Sequence, residues 1–163
     1  MSASPADRQL DHDARLLYET LSDLLRLYQF RDRDRICCHD VSVTQCYALE
    51  SLVRRGPQSL GALAEELYLD KSTASRVVDA LERKGYARRE SDPADGRALR
   101  LSVTAEGRRL HHRIEEDILR QERDVLADFP PAVRQAMTEL LRRLALAAAG
   151  RAGVAAPSCC STA

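Results

Sequence analysis

The stretch that decides the fold of this chain is residues 70–104, DKSTASRVVDALERKGYARRESDPADGRALRLSVT. Its first part carries apolar side chains at the 3.6-residue spacing of an amphipathic helix, and Asp70 precedes them as a typical N-cap. Gly85 stands where such a helix usually ends. Two short strand-like runs, residues 86–90 and 98–103, then flank a turn. The pattern predicts a DNA-reading helix followed by a charged β-hairpin, as in a winged helix-turn-helix.

The outer face of this helix is small, polar and basic, which suits a DNA groove. Arg76 is the first choice for a base, because arginine can pair bidentately with guanine in the major groove. Short hydroxyl side chains let the helix enter deeply, and Arg97, near the hairpin tip, suits a narrow minor groove. The blander interpretations are a solvated helix face and surface ion pairs. The predicted DNA-binding residues are Lys71, Ser72, Thr73, Ser75, Arg76, Asp95 and Arg97.

Two more helices are expected directly before this stretch. Ser42 and Gln45 have the spacing of a capping box for a helix that runs to about Arg55. Gly56-Pro57 is a break, and residues 59–67 form a short helix that leads into the reading helix. The last two helices would be the helix-turn-helix pair.

Long amphipathic helices are expected at both ends of the chain. Residues 10–28 carry one apolar stripe, which a charged segment at 31–35 follows. After the hairpin, one long helix is broken at Pro130-Pro131, and residues 133–149 form the last. A single winged domain is too small to cover these stripes, so burial against a second copy predicts a homodimer.

Taken together, these residues resemble the MarR family of bacterial transcription regulators, over about residues 16–144. The resemblance implies a dimer with interdigitating terminal helices, DNA contact by the Asp-x-Arg at 95–97, and small aromatic or phenolic acids as common ligands. The features that carry it, in the family's order, are Ser42-x-x-Gln45, Ser59 before Leu63-Ala64, Ser72-Thr73, Arg76, Leu81-Glu82-Arg83-Lys84-Gly85, Arg89, Asp92-Pro93-Ala94-Asp95-Gly96-Arg97 and Thr104-x-x-Gly107.

The predicted fold is therefore mainly α with a small β-hairpin wing, a winged helix-turn-helix with N- and C-terminal dimerisation helices. Its predicted parts are an N-terminal dimerisation helix and loop (1–41), the winged helix-turn-helix (42–104), C-terminal dimerisation helices (105–149) and a flexible Cys-containing tail (150–163). A two-fold dimer would place its reading helices ~34–36 Å apart on double-stranded DNA and select a pseudo-palindromic operator.

Composition bounds these expectations. The chain has 163 residues, 44% of them hydrophobic, which suits one α-rich domain. Net charge is zero, which counts against DNA binding. However, residues 70–109 hold ten Lys or Arg against seven Asp or Glu, whereas residues 1–41 hold six against eight. The sequence shows neither a signal peptide nor a run of ~20 apolar residues, which predicts a cytoplasmic protein without a membrane partner.

The least ordinary residues are five cysteines, which would be free thiols in a reducing compartment. Two vicinal pairs suit a thiophilic metal or metalloid, with His39 added for zinc, or a reaction with an oxidant. Cys46 lies in the first turn of its predicted helix, where the dipole favours the thiolate, although packing as a small core residue is the favoured alternative. The candidate metal-binding residues are Cys37, Cys38, Cys46, Cys159 and Cys160.

The sequence thus predicts a dimeric transcriptional regulator, a repressor that a thiophilic ion or oxidant releases from its operator, with no cofactor required for folding. The alternative input is a small aromatic or phenolic ligand received by residues of the first helix. An enzyme is disfavoured because Cys-x-x-Cys, phosphate-cradling glycine and His-Glu-x-x-His motifs are missing. A protein-interaction module is a third alternative. For His111 and His112 the two interpretations are an extension of a metal site and, as the favoured one, solvated side chains. The ligand candidates are Arg15, Tyr18, Arg26 and Tyr28.

Overall fold

The computed structural model describes residues 4–37, 39–92 and 98–152. Within these ranges the chain forms helices and one antiparallel hairpin, which confirms the predicted fold class. The elements in chain order are α1 (Pro5–Cys37), α2 (Val43–Arg55), α3 (Leu60–Glu66), α4 (Lys71–Arg83), β1 (Ala87–Ser91), β2 (Leu99–Val103), α5 (Ala105–Ala127) and α6 (Pro131–Ala152).

The winged lobe, residues 42–104, has a core of its own. Apolar side chains from α2, α3, α4 and the hairpin are fully buried there and meet the first half of α5. Each buried leucine contributes about 1.5–3 kcal/mol relative to an exposed one, so this core is the main stabilising feature of the lobe. The largest fully buried side chains of the lobe are Leu49, Leu52, Leu63, Val78, Leu81 and Leu101.

Helix starts in the lobe follow the predicted caps. The Ser42 hydroxyl accepts from the backbone N–H of Gln45, whose side chain accepts from the backbone N–H of Ser42, both at 3.2 Å. Ser59 caps α3 in the simpler way, accepting from the backbone N–H of Ala62 at 3.1 Å. Each cap pairs a backbone donor that the helix itself leaves unsatisfied.

The hairpin is the wing of the lobe. Its strands pair from Ala87 opposite Val103 to Ser91 opposite Leu99. Gln58, in the segment between α2 and α3, adds an isolated antiparallel bridge by exchanging two backbone hydrogen bonds with Leu101, at 3.1 and 2.7 Å. The hairpin therefore rests on the helix-turn-helix through its second strand.

The Thr104-x-x-Gly107 pattern is explained at the join between β2 and α5. The Thr104 hydroxyl donates to the carbonyl of Gly85 at 2.7 Å and accepts from the backbone N–H of Gly107 at 3.0 Å. A Cβ on Gly107 would lie 2.1 Å from the carbonyl oxygen of Tyr86. Only glycine allows α5 to start this close to the end of α4.

The first helix is longer than the apolar stripe indicates. It continues through the charged segment 31–35 as far as Cys37, because Arg31 and Asp32 find partners on neighbouring helices and Ile36 is fully buried. Arg31 pairs with Glu122 of α5 at 2.5 Å and with Asp32 at 2.9 Å. The last helix is also longer than predicted, since Pro131 is tolerated in its first turn.

The terminal helices present apolar side chains outward, where the described part of the chain leaves them uncovered. Leu10, Leu27 and Leu140 are 66–68% exposed. Further exposed apolar side chains on these helices are Leu16, Leu17, Leu25, Phe30, Val133 and Leu141. Among the described helices, none combines the length and apolarity that a membrane crossing requires.

Candidate nucleic-acid interface

Helix α4 is the element that carries most of the predicted DNA contacts. One side of it packs into the lobe through Ala74, Val78 and Leu81, which are fully buried. The other side is open: Lys71, Ser72 and Arg76 are exposed, whereas Thr73 and Ser75 are half-buried. Within the part of the chain that the structure describes, Arg76 and Lys71 form no ion pair. Their charges are therefore available to a ligand.

Asp70 organises the N-terminus of α4 more tightly than a simple cap does. One carboxylate oxygen accepts from the backbone N–H of Thr73 at 2.9 Å and from the hydroxyl of Ser72 at 2.6 Å. The other accepts from the hydroxyl of Thr73 at 2.7 Å. These bonds lower the pKa of Asp70 well below its usual range. The hydroxyls of Ser72 and Thr73, two residues predicted to contact DNA, thus already donate to Asp70 within the protein.

Arginines in the body of the wing have partners within the wing and in the segment between α2 and α3. Arg88 contacts Glu90 at 2.6 Å, and Arg100 donates to the carbonyl of Pro57 at 2.8 Å. Two predicted DNA contacts, Asp95 and Arg97, lie outside the described residues. They stay predictions that rest on the sequence.

Arg89, a residue of the family pattern, has a structural role that the sequence did not assign to it. Its guanidinium pairs with Asp79 at 2.8 Å and also with Glu82, and its backbone N–H donates to Glu82 at 2.7 Å. These bonds fasten the first strand of the wing to α4. The signal was present in the i,i+3 spacing of the two carboxylates on one helix face.

Cys46 does lie in the first turn of α2, yet its thiol is not activated there. It is 5% exposed, and burial, with Glu50 and Asp32 nearby, raises the pKa of Cys46 to about 12. The expectation that the helix dipole favours its thiolate is therefore wrong, because desolvation outweighs the dipole. This residue packs as a small apolar group, as the favoured alternative held.

The cysteine side chains of the predicted thiol site other than Cys46 lie outside what the structure describes. Cys37 ends α1, and its side chain is outside the description; Cys38, Cys159 and Cys160 lie outside the described residues altogether. His39 faces Asp117 of α5, with Nε2 and Oδ2 3.2 Å apart. The described ranges contain no group of three His, Cys, Asp or Glu side chains that could hold a metal ion.

The two histidines of α5 differ from each other. His111 is 8% exposed and part of the interior, so the expectation that it is solvated is wrong. His112 is exposed, as predicted, with Nε2 3.3 Å from Glu116. Their neighbouring positions on a helix place one toward the lobe and the other toward solvent.

The predicted ligand residues of α1 have distinct surroundings. The Tyr28 hydroxyl donates to Glu122 at 3.1 Å and lies beside Arg31, whereas Tyr18 is exposed and Arg26 pairs with Asp23 at 2.6 Å. An open hollow of about 560 Å³ lies between α1 and α2. It is lined by Arg26, Gln29, Phe30, Asp32, Arg33, Val43 and Tyr47.

A helix-turn-helix followed by a hairpin and flanked by long helices defines the class of winged helix-turn-helix proteins. The model of the MarR family matches residues 39–98 of the chain. The HTH-type transcriptional regulator PecS of Dickeya dadantii (strain 3937) is 30% identical over 139 residues, 83% of either chain. The chain therefore belongs to the MarR family of transcriptional regulators.

Two further comparisons agree with this membership. A protein from Thauera aromatica, described as a transcriptional regulatory protein for the hcr operon, is 34% identical over 99 residues. These residues span 60% of its length and 60% of this chain. A MarR family protein from Bacillus stearothermophilus has the same fold, with a TM-score of 0.71. That comparison covers 88% of this chain and 96% of the other at 24% identity, which supports the fold alone. MarR regulators bind DNA and are typically dimeric, and the family consists of regulators rather than enzymes.

Proposed function

We propose that the protein is a dimeric repressor that inserts α4 of each subunit into successive major grooves of a pseudo-palindromic operator. The observation that carries this proposal is the outer face of α4, where Arg76 is exposed and forms no ion pair with the described residues. An arginine in this state can pair with a guanine without breaking a bond within the protein. Lys71 supplies a phosphate contact, and Arg97 of the wing reaches the minor groove.

The dimer is the second part of the proposal. Its support is the row of exposed apolar side chains along α1 and α6, which a monomer would leave in water. A second copy related by two-fold symmetry covers both faces and sets the spacing of the two α4 helices at about one DNA turn. The scaffold thereby determines which half-site spacing the dimer accepts.

Substitution of the two reading arginines tests the DNA assignment. Arg76→Ala is expected to abolish the preference for guanine at the position that Arg76 reads, a loss of about 1–3 kcal/mol in discrimination. Arg97→Ala is expected to weaken operator binding. Fluorescence anisotropy with operator and scrambled duplexes measures both effects, and Arg120→Ala on α5, whose partner is Asp117, is the matched control. Unchanged binding by both reading variants rejects the assignment.

The input we propose is a thiophilic metal, metalloid or oxidant acting on the vicinal pairs Cys37-Cys38 and Cys159-Cys160. Cys46 is left out because its buried thiol is protonated at neutral pH. Operator-bound protein is titrated with zinc, arsenite, mercury and peroxide, then compared with a variant in which these four cysteines are Ser. Release of DNA from wild type alone supports thiol sensing, whereas equal release from both proteins refutes it.

The hollow between α1 and α2 favours a second candidate input, a small aromatic or phenolic acid. Arg26 and Arg33 offer cationic groups for a carboxylate, and Phe30 and Tyr47 offer rings for an aromatic body. Salicylate is the probe, and Arg33→Ala is expected to weaken its binding in calorimetry. The four-cysteine variant, which should respond to salicylate normally, separates this input from thiol sensing.

A further inference from the structure

The N-terminal edge of α4 has a hydrogen-bond polarity that its sequence does not reveal. The three side chains that form it are Asp70, Ser72 and Thr73, and both hydroxyls donate to the carboxylate, at 2.6 and 2.7 Å. A hydroxyl group has one proton to donate. With that proton committed, each oxygen presents only lone pairs to anything that approaches from outside.

The Asp70 carboxylate stabilises these two hydroxyl hydrogen bonds at physiological pH. Asp70 also accepts from the backbone N–H of Thr73, and its charge lies at the positive end of the helix dipole. These bonds lower the pKa of Asp70. Its carboxylate therefore stays ionised and continues to accept the hydrogen bonds from both hydroxyls. The edge is therefore a surface of hydrogen-bond acceptors that carries a negative charge.

Such a surface is unsuited to the DNA backbone but suited to particular bases. Phosphate oxygens only accept hydrogen bonds, so Asp70, Ser72 and Thr73 offer them no side-chain donor, and the phosphate contact is left to the exposed Lys71 beside them. In the major groove the donors are the exocyclic amino groups of cytosine and adenine, whereas guanine presents two acceptors and thymine one. The complementary ligand is a base pair with its amino group toward this edge.

We propose that Asp70 is a specificity-determining residue, which fixes Ser72 and Thr73 as acceptors and so selects cytosine or adenine opposite the N-terminal edge of α4. This inference rests on the proposed DNA-reading function. Asp70 acts through the two hydroxyls and is therefore a positioning residue. Arg76, one turn further along α4, offers only donors and suits guanine. Acceptors at the N-terminal edge of α4 and donors one turn further along would fix the orientation in which α4 binds each half-site.

The experiment starts from the full chain and a randomised duplex library. Repeated selection gives the preferred site of the wild type, and the same selection is run with Asp70→Asn and Asp70→Ser. Asparagine has the same shape but carries donors, and serine keeps an N-cap without the charge. Both variants release at least one hydroxyl proton, so we expect guanine or thymine to become accepted at one position of each half-site.

Measuring the affinity of each Asp70 variant for the site selected by the wild type gives the size of the effect. Asp70→Asn is expected to lower affinity for that site by about 5- to 100-fold, the range for loss of a specific base contact. Affinity for scrambled DNA should stay the same or rise, because a negative charge near the phosphates is removed. Ser59→Ala is the matched control: it removes the corresponding cap of α3 and should leave base preference unchanged.

Base analogues test the contact itself, because a loss of helix stability would lower affinity for the natural and the analogue duplex alike. Replacing a selected adenine by 2-aminopurine, or a selected cytosine by pyrimidin-2-one, removes the major-groove amino group. Wild type should lose affinity for the analogue duplex, and Asp70→Asn should bind both duplexes equally. Circular dichroism confirms that each variant is folded.

The outcomes separate this inference from the proposed function. If wild type enriches no sequence, the proposed function fails and this inference fails with it. If wild type enriches a site but both Asp70 variants enrich the same bases at every position, only the inference is overturned. Equal affinity of wild type for the analogue and natural duplexes overturns it as well.

Discussion

The winged lobe and the terminal helices place their leucines in opposite surroundings. Leu49, Leu63 and Leu81 of the lobe are completely buried, whereas Leu10 of α1 and Leu140 of α6 are 68% and 66% exposed. Both regions have amphipathic helices of good length, so helix formation does not distinguish them. The lobe thus buries its leucines within one chain, while α1 and α6 have faces that the described part of the chain leaves uncovered and that the proposed dimer would bury.

The arginines show a similar contrast on a smaller scale. Arg89 is enclosed by two carboxylates and fastens the wing to α4, while Arg76, on the same helix-and-hairpin unit, is exposed. An arginine that is already paired must lose its partners before it can bind DNA, at a cost in free energy. Arg89 thus stabilises the fold, whereas Arg76, a residue of the same type, is accessible for the proposed contact with DNA.

A cavity in the lobe should have the largest effect on stability. Leu81→Ala is expected to lower the free energy of unfolding by about 2–5 kcal/mol, because Leu81 is fully enclosed by the core. Leu99→Ala, at a leucine that is 56% exposed on β2, should change it by about 0.5 kcal/mol or less. Urea denaturation at a fixed protein concentration measures both, and equal losses would contradict the division between core and surface.

The next largest effect is expected at the join between lobe and α5. Gly107→Ala forces a methyl group against the carbonyl of Tyr86 and should lower the free energy of unfolding by about 1–3 kcal/mol. Gly150→Ala is the opposite case, since nothing lies within 4 Å of an added Cβ. That variant should raise α6 stability by about 0.5–1 kcal/mol. Thermal unfolding of the pair tests the close approach, and a stabilised Gly107→Ala variant would rule it out.

A charge introduced on the exposed apolar face of α6 should weaken association of the two subunits while the winged lobe stays folded. Leu140→Glu is expected to raise the dissociation constant of the dimer by about 10- to 100-fold, from the lost burial of one leucine. Leu99→Glu is the matched control, since it changes a similarly exposed leucine of the wing. Sedimentation equilibrium measures both constants. The same constant for both variants would mean that α6 lies outside the dimer interface.

Local sequence signals predicted the lobe well, because its determinants lie close together in the chain. Ser42, Ser59 and Asp70 each start a helix by bonding the backbone N–H three residues ahead, and Gly85 has the positive φ that its position requires. The hairpin follows from two short strand-like runs on either side of a turn sequence. None of these features depends on a distant contact.

The features that the sequence did not predict depend on distant contacts or on burial. The extension of α1 relies on Glu122, which is 91 residues from Arg31. The protonated thiol of Cys46 follows from the core around it, which a position in the first turn does not indicate. The hydroxyls of Ser72 and Thr73 were recognised as helix-face groups, but which way their protons point is set by the Asp70 side chain.

In the proposed complex, two copies of the chain present two α4 helices to one duplex. The most direct measurement is the stoichiometry of the complex with the selected duplex, by analytical ultracentrifugation over a range of salt concentrations. We expect two chains per duplex and an affinity that falls steeply as salt rises, since phosphate contacts release counterions. One chain per duplex, or binding that salt does not change, would contradict the account.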